Sequence, residues 1–291
     1  MTSDRAVSSG SARRAEPRPP AKQTLTPKER YLPFAISVAT TLATFAIAYH
    51  IITSAEFWPV IRNQFFNLDA ALESLPQVWA GFLVNIRVWA ISLVFIAVWA
   101  LMVAVMRSLT GPWAAPLRVF SIIYIDLLRG MPSLLLVLLF GFGVPALQLP
   151  GLPSSRLFWG TVALVLGYAA YASEVYRSGM EAVHDGQRAA AKALGLTQWQ
   201  TLRHAIIPQA IRNVIPALLN LAVALQKDVA LLSVIGVREA VREAQIYTAR
   251  TFNFSSMIAA TILFLLATIP MARLTDYVAR RDQDRRLQRT L

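Results

Sequence analysis

Lys227 and Asp228 are adjacent charges inside an otherwise apolar stretch of 25 residues, Asn213 to Val237. Ionised groups in such a stretch cost free energy and point to a substrate path, a gate or an internal ion pair. Neighbours on one helix diverge by about 100°, so the two residues should meet different partners rather than each other. Asp126 with Arg129, and Glu174 with Arg177, are spaced i, i+3, which lets each pair neutralise itself on one helix face. The work open to these groups is charge recognition and gating, not bond making. His50, His184 and His204 share no metal-ligand spacing, so no metal site is expected. There is no cysteine, which excludes disulfides, thiolate sites and thiol catalysis. A GxxxxGK[ST] phosphate loop is absent, so the chain should not bind ATP itself, and no serine or threonine sits in a nucleophile elbow. No catalytic residue and no cofactor is expected; the chain reads as something other than an enzyme.

The elements that must hold these charges are helices in a membrane. Of 291 residues, 56% are hydrophobic and 15% charged, where a soluble domain carries roughly a quarter charged. The apolar residues gather in uncharged runs of 17 to 22, long enough to cross ~30 Å of hydrocarbon at ~1.5 Å per residue. A backbone facing lipid must satisfy its own hydrogen bonds, so these runs are helices, and the short alternating segments of a β-barrel are missing. The fold class expected is all-α: a polytopic transmembrane bundle of about six spans.

Residues 1–33 read as a disordered basic tail rich in Arg, Pro and Ser. The first span is Phe34 to Ile52. Thr53-Ser54-Ala55 loosely resembles a signal-peptidase site, but the long polar stretch before this 19-residue run favours a retained helix. Glu56 to Gln77 forms an amphipathic outer connector with Trp58, Phe65 and Phe66, residues suited to an interface. Further spans are read at Val88 to Met106, Gly130 to Leu149, Leu157 to Ser173, Asn213 to Val237 and Thr251 to Ala272, and residues 281–291 close the chain as a basic tail. Placing the N-terminus in the cytoplasm and alternating sides puts 20 Lys and Arg inside against 5 outside. That bias orients both termini and the 177–212 loop towards the cytoplasm. The net charge of +12 is then explained by loops facing anionic headgroups, and nucleic acid is not expected as a partner.

The 177–212 loop is patterned. Arg188 to Leu194 consists of strong helix formers, and Gly195 suits the left-handed residue that ends a helix. Thr197-Gln198-Trp199-Gln200 has capping-box spacing. Trp199, Leu202 and Ile206 recur on one face, and Pro208 is expected to end this second helix before the fifth span. Helix, glycine turn and helix together make an exposed knob.

The run from Gly186-Gln187-Arg188-Ala189-Ala190-Ala191-Lys192-Ala193-Leu194-Gly195 to Ile207-Pro208-Gln209-Ala210 resembles the EAA loop of ABC-importer permeases, closest to the polar amino acid uptake family. Three other segments are similar to landmarks of that family in the same order: Tyr124 to Pro132, Ala170 to Gly179, and Leu225 to Gly236. The resemblance covers about residues 78–280, which would be the permease transmembrane domain, leaving 34–77 as an extra span and outer connector. It implies that the loop docks on a cytoplasmic ATPase subunit through Gly186, Gln187, Arg188, Ala189, Ala190, Leu194 and Gly195. It also implies a second permease subunit, identical or homologous, an extracytoplasmic solute-binding protein, and a bacterial plasma-membrane location. The solute would be a polar amino acid or a similar small molecule. Ala189 departs from the pattern, standing where the family usually has the glutamate of EAA. Arg129, Glu174, Arg177, Lys227 and Asp228 are the candidates for the pathway or its gate. A secondary transporter would need a midplane ion site, usually in inverted repeats, and no internal repeat is evident. A scaffold without transport would have no use for Lys227-Asp228.

Overall fold

The computed structural model describes residues 27–290, with side chains described for 31–281. Residues 1–26 of the expected tail, and Leu291, lie outside the described residues. The chain divides into a unit ending at Trp58 and a larger unit from Pro59 onward.

In the first unit, helix α1 spans Pro27–Thr53. It begins seven residues before Phe34, so 27–33 are helical rather than part of a disordered tail. Lys28, Glu29 and Arg30 are good helix formers and carry the helix outward from the apolar run. Side chains from Tyr31 to Ile52 are exposed on every face, which suits a helix solvated by lipid.

The second unit is a helix bundle. Helices α2 (Trp58–Phe65) and α3 (Leu68–Ser108) occupy the stretch expected to be connector and second span. Asn67 caps α3, its side chain accepting from the Ala70 amide. α3 runs for 41 residues, on the order of 60 Å and twice the hydrocarbon thickness. A 3₁₀ turn at Pro112–Ala114 leads to α4 (Ala115–Gly130) and α5 (Ser133–Leu138), then a π-helical turn Leu139–Gly143 and α6 (Val144–Ala146). Gly130 to Leu149 is therefore not one straight span. Pro132 disfavours helical backbone at the residue before it, and Met131 is extended at φ −91°, ψ 135°. The chain bends there by 104°.

The remaining helices are α7 (Arg156–Glu181), α8 (Asp185–Ala193), α9 (Gln198–Thr201), α10 (Ile207–Asp228), α11 (Ala240–Thr251) and α12 (Ser255–Thr290). A π-helical turn, Leu202–Ile206, joins α9 to α10, and Pro208 falls in the first turn of α10. Pro208 therefore does not end the second helix. Proline lacks an N–H and crowds the preceding turn, and the wider π turn accommodates it without a break. α10 passes into a 3₁₀ segment, Val229–Ile235, immediately after Asp228. α12 continues to Thr290, so most of the C-terminal tail is helical.

Among the described residues, four helical stretches are long and apolar enough to cross a membrane, and the bent α4–α5 pair makes a fifth. α7 falls short in apolarity because it is the packing centre. It meets α3 and α10, and its small residues Gly160, Ala163, Gly167, Ala169, Ala170 and Ala172 are buried, Gly160 against Leu232 and Ile235 and Gly167 against Leu136. Small residues lower hydropathy while letting helix backbones approach. With α7 and α1 counted, the chain has about six spans among the described residues, as expected. The main core joins Ile96 and Ala100 of α3, Leu136 of α5, Leu164 of α7 and Leu225 of α10. A smaller core joins Val78 and Phe82 to Ala240, Ala244 and Leu263.

Candidate functional site

The loop after α7 is built from its caps outward. The His184 imidazole accepts from the Gly186 amide at 3.0 Å and starts α8. At the other end Gly195 has φ +75°, the Leu196 amide donates to the Ala191 carbonyl at 3.1 Å, and the Gly195 amide donates to the Lys192 carbonyl at 3.0 Å. Those two bonds are a Schellman motif, which only a left-handed residue closes at low cost. Thr197 and Gln200 then form a reciprocal capping box, Thr197 N–H donating to Gln200 Oε1 at 2.8 Å and Gln200 N–H to Thr197 Oγ1 at 3.3 Å. Two helix ends meeting at one glycine fix the knob's shape.

Gly186, Gln187, Arg188, Ala189, Ala190, Leu194 and Gly195 are all exposed. Leu194 is 79% and Trp199 53% exposed, two large apolar side chains on a polar loop. Underneath, Leu202 and Ile206 are buried with Met180, Val183 and Val214. The Arg188 guanidinium donates to the Met180 carbonyl at 2.8 Å. At Gly179 any Cβ would strike Val214 and lie 2.9 Å from the Ala210 carbonyl oxygen, so α7 and α10 cross at contact distance beside the loop. Trp199 does not share the buried face of Leu202 and Ile206; its exposure is a difference from the sequence pattern.

Glu174 gathers charges from three helices. It accepts from Arg107 at the end of α3, and from Arg177 Nε at 3.1 Å and Nη2 at 3.0 Å on α7. Arg129 at the end of α4 lies 3.9 Å away and also stacks over the Tyr171 ring at 5.5 Å. Arg177 donates in turn to Glu181. The Glu174–Arg177 pair is thus present, but Asp126 makes no ion pair with Arg129 among the described residues; Arg129 turns to Glu174 instead. Glu174 has a second helix's arginine to satisfy it, and the carboxylate fixed by three donors is the better counter-ion. Arg107, missed among the candidates, carries only the weak signal of a charge ending a span.

Lys227 and Asp228 part, as neighbours on a helix should. Lys227 is exposed and makes no ion pair among the described residues. Asp228 is half-buried and accepts from the Tyr168 hydroxyl at 2.8 Å. Beside it Gln226 is buried, its Oε1 accepting from Thr268 of α12 at 2.7 Å. At the other end of the bundle, Glu239 caps α11 by accepting from the amides of Val241 at 3.1 Å and Arg242 at 2.7 Å. Asn85 of α3 donates to Glu239 Oε2 at 2.9 Å and accepts from the Ala240 amide at 3.0 Å. Burial pushes the Glu239 carboxyl above its ordinary value, against the pull of Asn85 and the two amides. Nothing in the local sequence pairs residues 85 and 239; the contact exists only once α11 lies on α3.

A bundle that is all-helical among the described residues, with an exposed Schellman-capped knob, narrows the choice of family, and sequence comparison decides it. Residues 108–282, more than half of the chain, match the family of binding-protein-dependent transport system inner membrane components. The chain belongs to this family. It is the permease subunit of an ABC importer, embedded in the membrane. The permease is similar to the probable amino-acid ABC transporter permease protein y4tG of Sinorhizobium fredii, 34% identical over 215 residues, covering 72% of this chain and 89% of that protein. It is also similar to the arginine transport system permease protein ArtQ of Bacillus subtilis, 30% identical, covering 70% and 92%. Among solved structures it resembles an amino acid ABC transporter crystallised with histidines, at 29% identity and TM-score 0.64, covering 72% of this chain and 96% of that one. The methionine transporter MetNI, 18% identical with TM-score 0.60, shares the fold. Permeases of this family work with ATPase and binding-protein partners.

Proposed function

We propose that this permease carries an amino acid, delivered by an extracytoplasmic binding protein, through a path shared with a second permease subunit. The observation that carries the reading is the exposed, doubly capped knob formed by α8, Gly195 and α9. Exposed Leu194 and Trp199 on a rigid polar loop suit insertion into a cleft of another protein. The knob's buried base, Leu202 and Ile206, sits in the core shared by α7 and α10, so an ATPase closing on the knob would move those helices as a body. Gly186, Gln187, Arg188, Ala189, Ala190, Leu194 and Gly195 form the docking surface. With Ala189 in place of a glutamate, the contact rests on Arg188 and apolar side chains rather than on a carboxylate. Arg129, Glu174 and Arg177, together with Arg107, form a gate at the cytoplasmic ends of α3, α4 and α7. Lys227 and Asp228 belong to the pathway. Residues 78–280 make up the conducting domain, with both termini in the cytoplasm and 34–77 as an additional span and connector.

The test is purification from bacterial membranes followed by reconstitution. A cytoplasmic ATPase should co-purify, and vesicles supplied with ATP and binding protein should accumulate a labelled amino acid. Accumulation driven by an ion gradient, with no ATPase associated, would replace this reading with secondary transport.

A further inference from the structure

Phe252 ends α11 in a left-handed backbone conformation, φ 54° and ψ 23°. Glycine or asparagine usually takes that place, because a bulky residue there is strained. The strain does not seat the ring against the protein, for Phe252 is 79% exposed. Its turn is nevertheless firmly held. The Phe252 amide donates to the Thr248 carbonyl at 2.8 Å, and the Ser255 amide donates to Asn253 Oδ1 at 2.9 Å. The turn is also bonded to α2, some 190 positions earlier in the chain. Asn253 Nδ2 donates to the Asn63 carbonyl at 3.0 Å, the Phe254 amide donates to the Gln64 carbonyl at 2.7 Å, and the rings of Phe65 and Phe254 stack at 4.8 Å. α2 and the α11–α12 turn are therefore one platform, and it carries exposed Ile61, Phe66 and Phe252. Arg62 and Arg250 are exposed too and make no ion pair among the described residues.

We propose that this platform is an anchor in the membrane interface: Phe252, with Ile61 and Phe66, enters the acyl boundary of one leaflet, and Arg62 and Arg250 reach its phosphates. Position along α12 sets the depth. Thr268 bonds Gln226, which stands at the middle of the apolar Asn213 to Val237 run, and Ser255 lies 13 positions before Thr268. At ~1.5 Å per residue that is about 20 Å, against a hydrocarbon half-thickness of roughly 15 Å. The turn is thus at headgroup level, where aromatic rings and arginines anchor membrane proteins. The sequence changes character at the same point. α11 carries Arg242, Glu243 and Arg250, whereas α12 has no charge before Arg273. Exposed Ile262, Leu266 and Ile269 continue the apolar surface along α12 into the span. A partner arriving from water would leave the rings solvated whenever it was absent; the bilayer covers them at all times. α2 lies before residues 108–282, which match the family, so membership does not imply the anchor. The inference needs only the chain's place in a membrane, not the identity of its solute.

The experiment uses the intact complex in lipid nanodiscs, where reagents reach both faces and sidedness does not enter. The chain has no cysteine, so Phe252→Cys and, separately, Ile61→Cys each carry a single nitroxide. Electron paramagnetic resonance compares collisions with oxygen, which concentrates in hydrocarbon, and with a water-soluble nickel chelate. Spin-labelled phospholipids calibrate the depth. Both labels should lie at the boundary of headgroup and acyl chain, with an oxygen-to-nickel ratio at least threefold above that of the free label in water. Phe252→Asn suits the left-handed backbone but is polar; added to Ile61→Cys, it should raise nickel collision at least threefold. Phe252→Trp should leave that collision unchanged. Should the Asn variant fail to assemble, Phe252→Gly is read in the same way. A ratio equal to that of the free label at either position would put that part of the platform in water and overturn the anchor. Loss of both kinds of collision, in the complex alone or on adding binding protein, would mean that protein covers the ring, and overturns it equally. Unchanged nickel collision at position 61 in Phe252→Asn would remove the ring from the role. Amino-acid uptake tests the transport reading separately and stands or falls without the anchor.

Discussion

Glu174 is the carboxylate on which α3, α4 and α7 converge, and its environment shows how far single residues can be read. Its pairing with Arg177 follows from i, i+3 spacing on one helix. Its pairing with Arg107, 67 positions earlier in the chain, needs the tertiary fold. The same spacing rule pairs Arg129 with Asp126, but Arg129 lies 3.9 Å from Glu174 instead, a carboxylate already fixed by other arginines. Glu174→Gln should leave Arg107, Arg129 and Arg177 repelling one another with a single neutral acceptor between them. Only 18% of the Glu174 side chain is exposed, so screening is incomplete and the cost should be about 1–3 kcal/mol. A lower midpoint in thermal unfolding of the purified permease would register it. Arg107→Gln added to Glu174→Gln should recover part of the loss, because the two groups interact and their effects cannot add. Strictly additive midpoints would show that Arg107 and Glu174 do not act together in the membrane.

Helices and caps were the most legible features, and joints between helices the least. The capping box at Thr197 and the left-handed Gly195 could be read locally because each is a bond between residues at most five apart. The sequence predicts a straight span across Gly130 to Leu149 and a helix end at Pro208; the structure has a bend after Gly130 and a π turn that leads through Pro208. Pro208 marks the π turn, whereas Pro132, which lies at the bend, is passed over when Gly130 to Leu149 is read as one run. Two glycines separate these kinds of information by experiment. Gly195 has open space around its missing Cβ but a left-handed backbone, so Gly195→Val should strain the turn by roughly 1–2 kcal/mol and misplace the knob. Gly179 is inside a regular helix, but a Cβ there has no room against Val214 and the Ala210 carbonyl. Gly179→Ala should therefore force α7 and α10 apart at a cost of about 1–3 kcal/mol. Gly195→Val should reduce ATPase co-purification or uncouple hydrolysis from uptake while the unfolding midpoint of the membrane bundle stays close to wild type. Gly179→Ala should lower that midpoint. Wild-type coupling in Gly195→Val, with the ATPase still bound, would remove the glycine turn from the docking role.

For the whole molecule the governing quantity is the distribution of charge across the bilayer. The bundle's packing alone does not say which end faces the cytoplasm. The basic residues favour one orientation: 20 of the 28 Lys and Arg lie in the segments proposed to face the cytoplasm and 5 in those proposed to face outward. Retaining them on the cytoplasmic face is favoured by anionic headgroups at about 1 kcal/mol for each residue near the surface. An inverted topology would carry the 177–212 loop, with its five basic residues, away from the ATP-bearing compartment. The proposed orientation would set the Glu174 cluster near the cytoplasmic leaflet and the Asn85–Glu239 hydrogen bonds nearer the outer one. The absence of native cysteine makes the orientation directly measurable, because any introduced thiol is the only one. Ser54→Cys, Gln187→Cys and Thr290→Cys, each alone, should be treated in sealed cells with a thiol reagent that cannot cross the membrane. Position 54 should label in intact cells, and positions 187 and 290 only after the membrane is opened. Gln187 is exposed on α8, so poor reactivity there in sealed cells reports sidedness rather than burial, and its reaction after opening is the internal control. Strong labelling at 187 from outside would place the docking knob beyond reach of any cytoplasmic ATPase, and the coupling mechanism would fall with the topology.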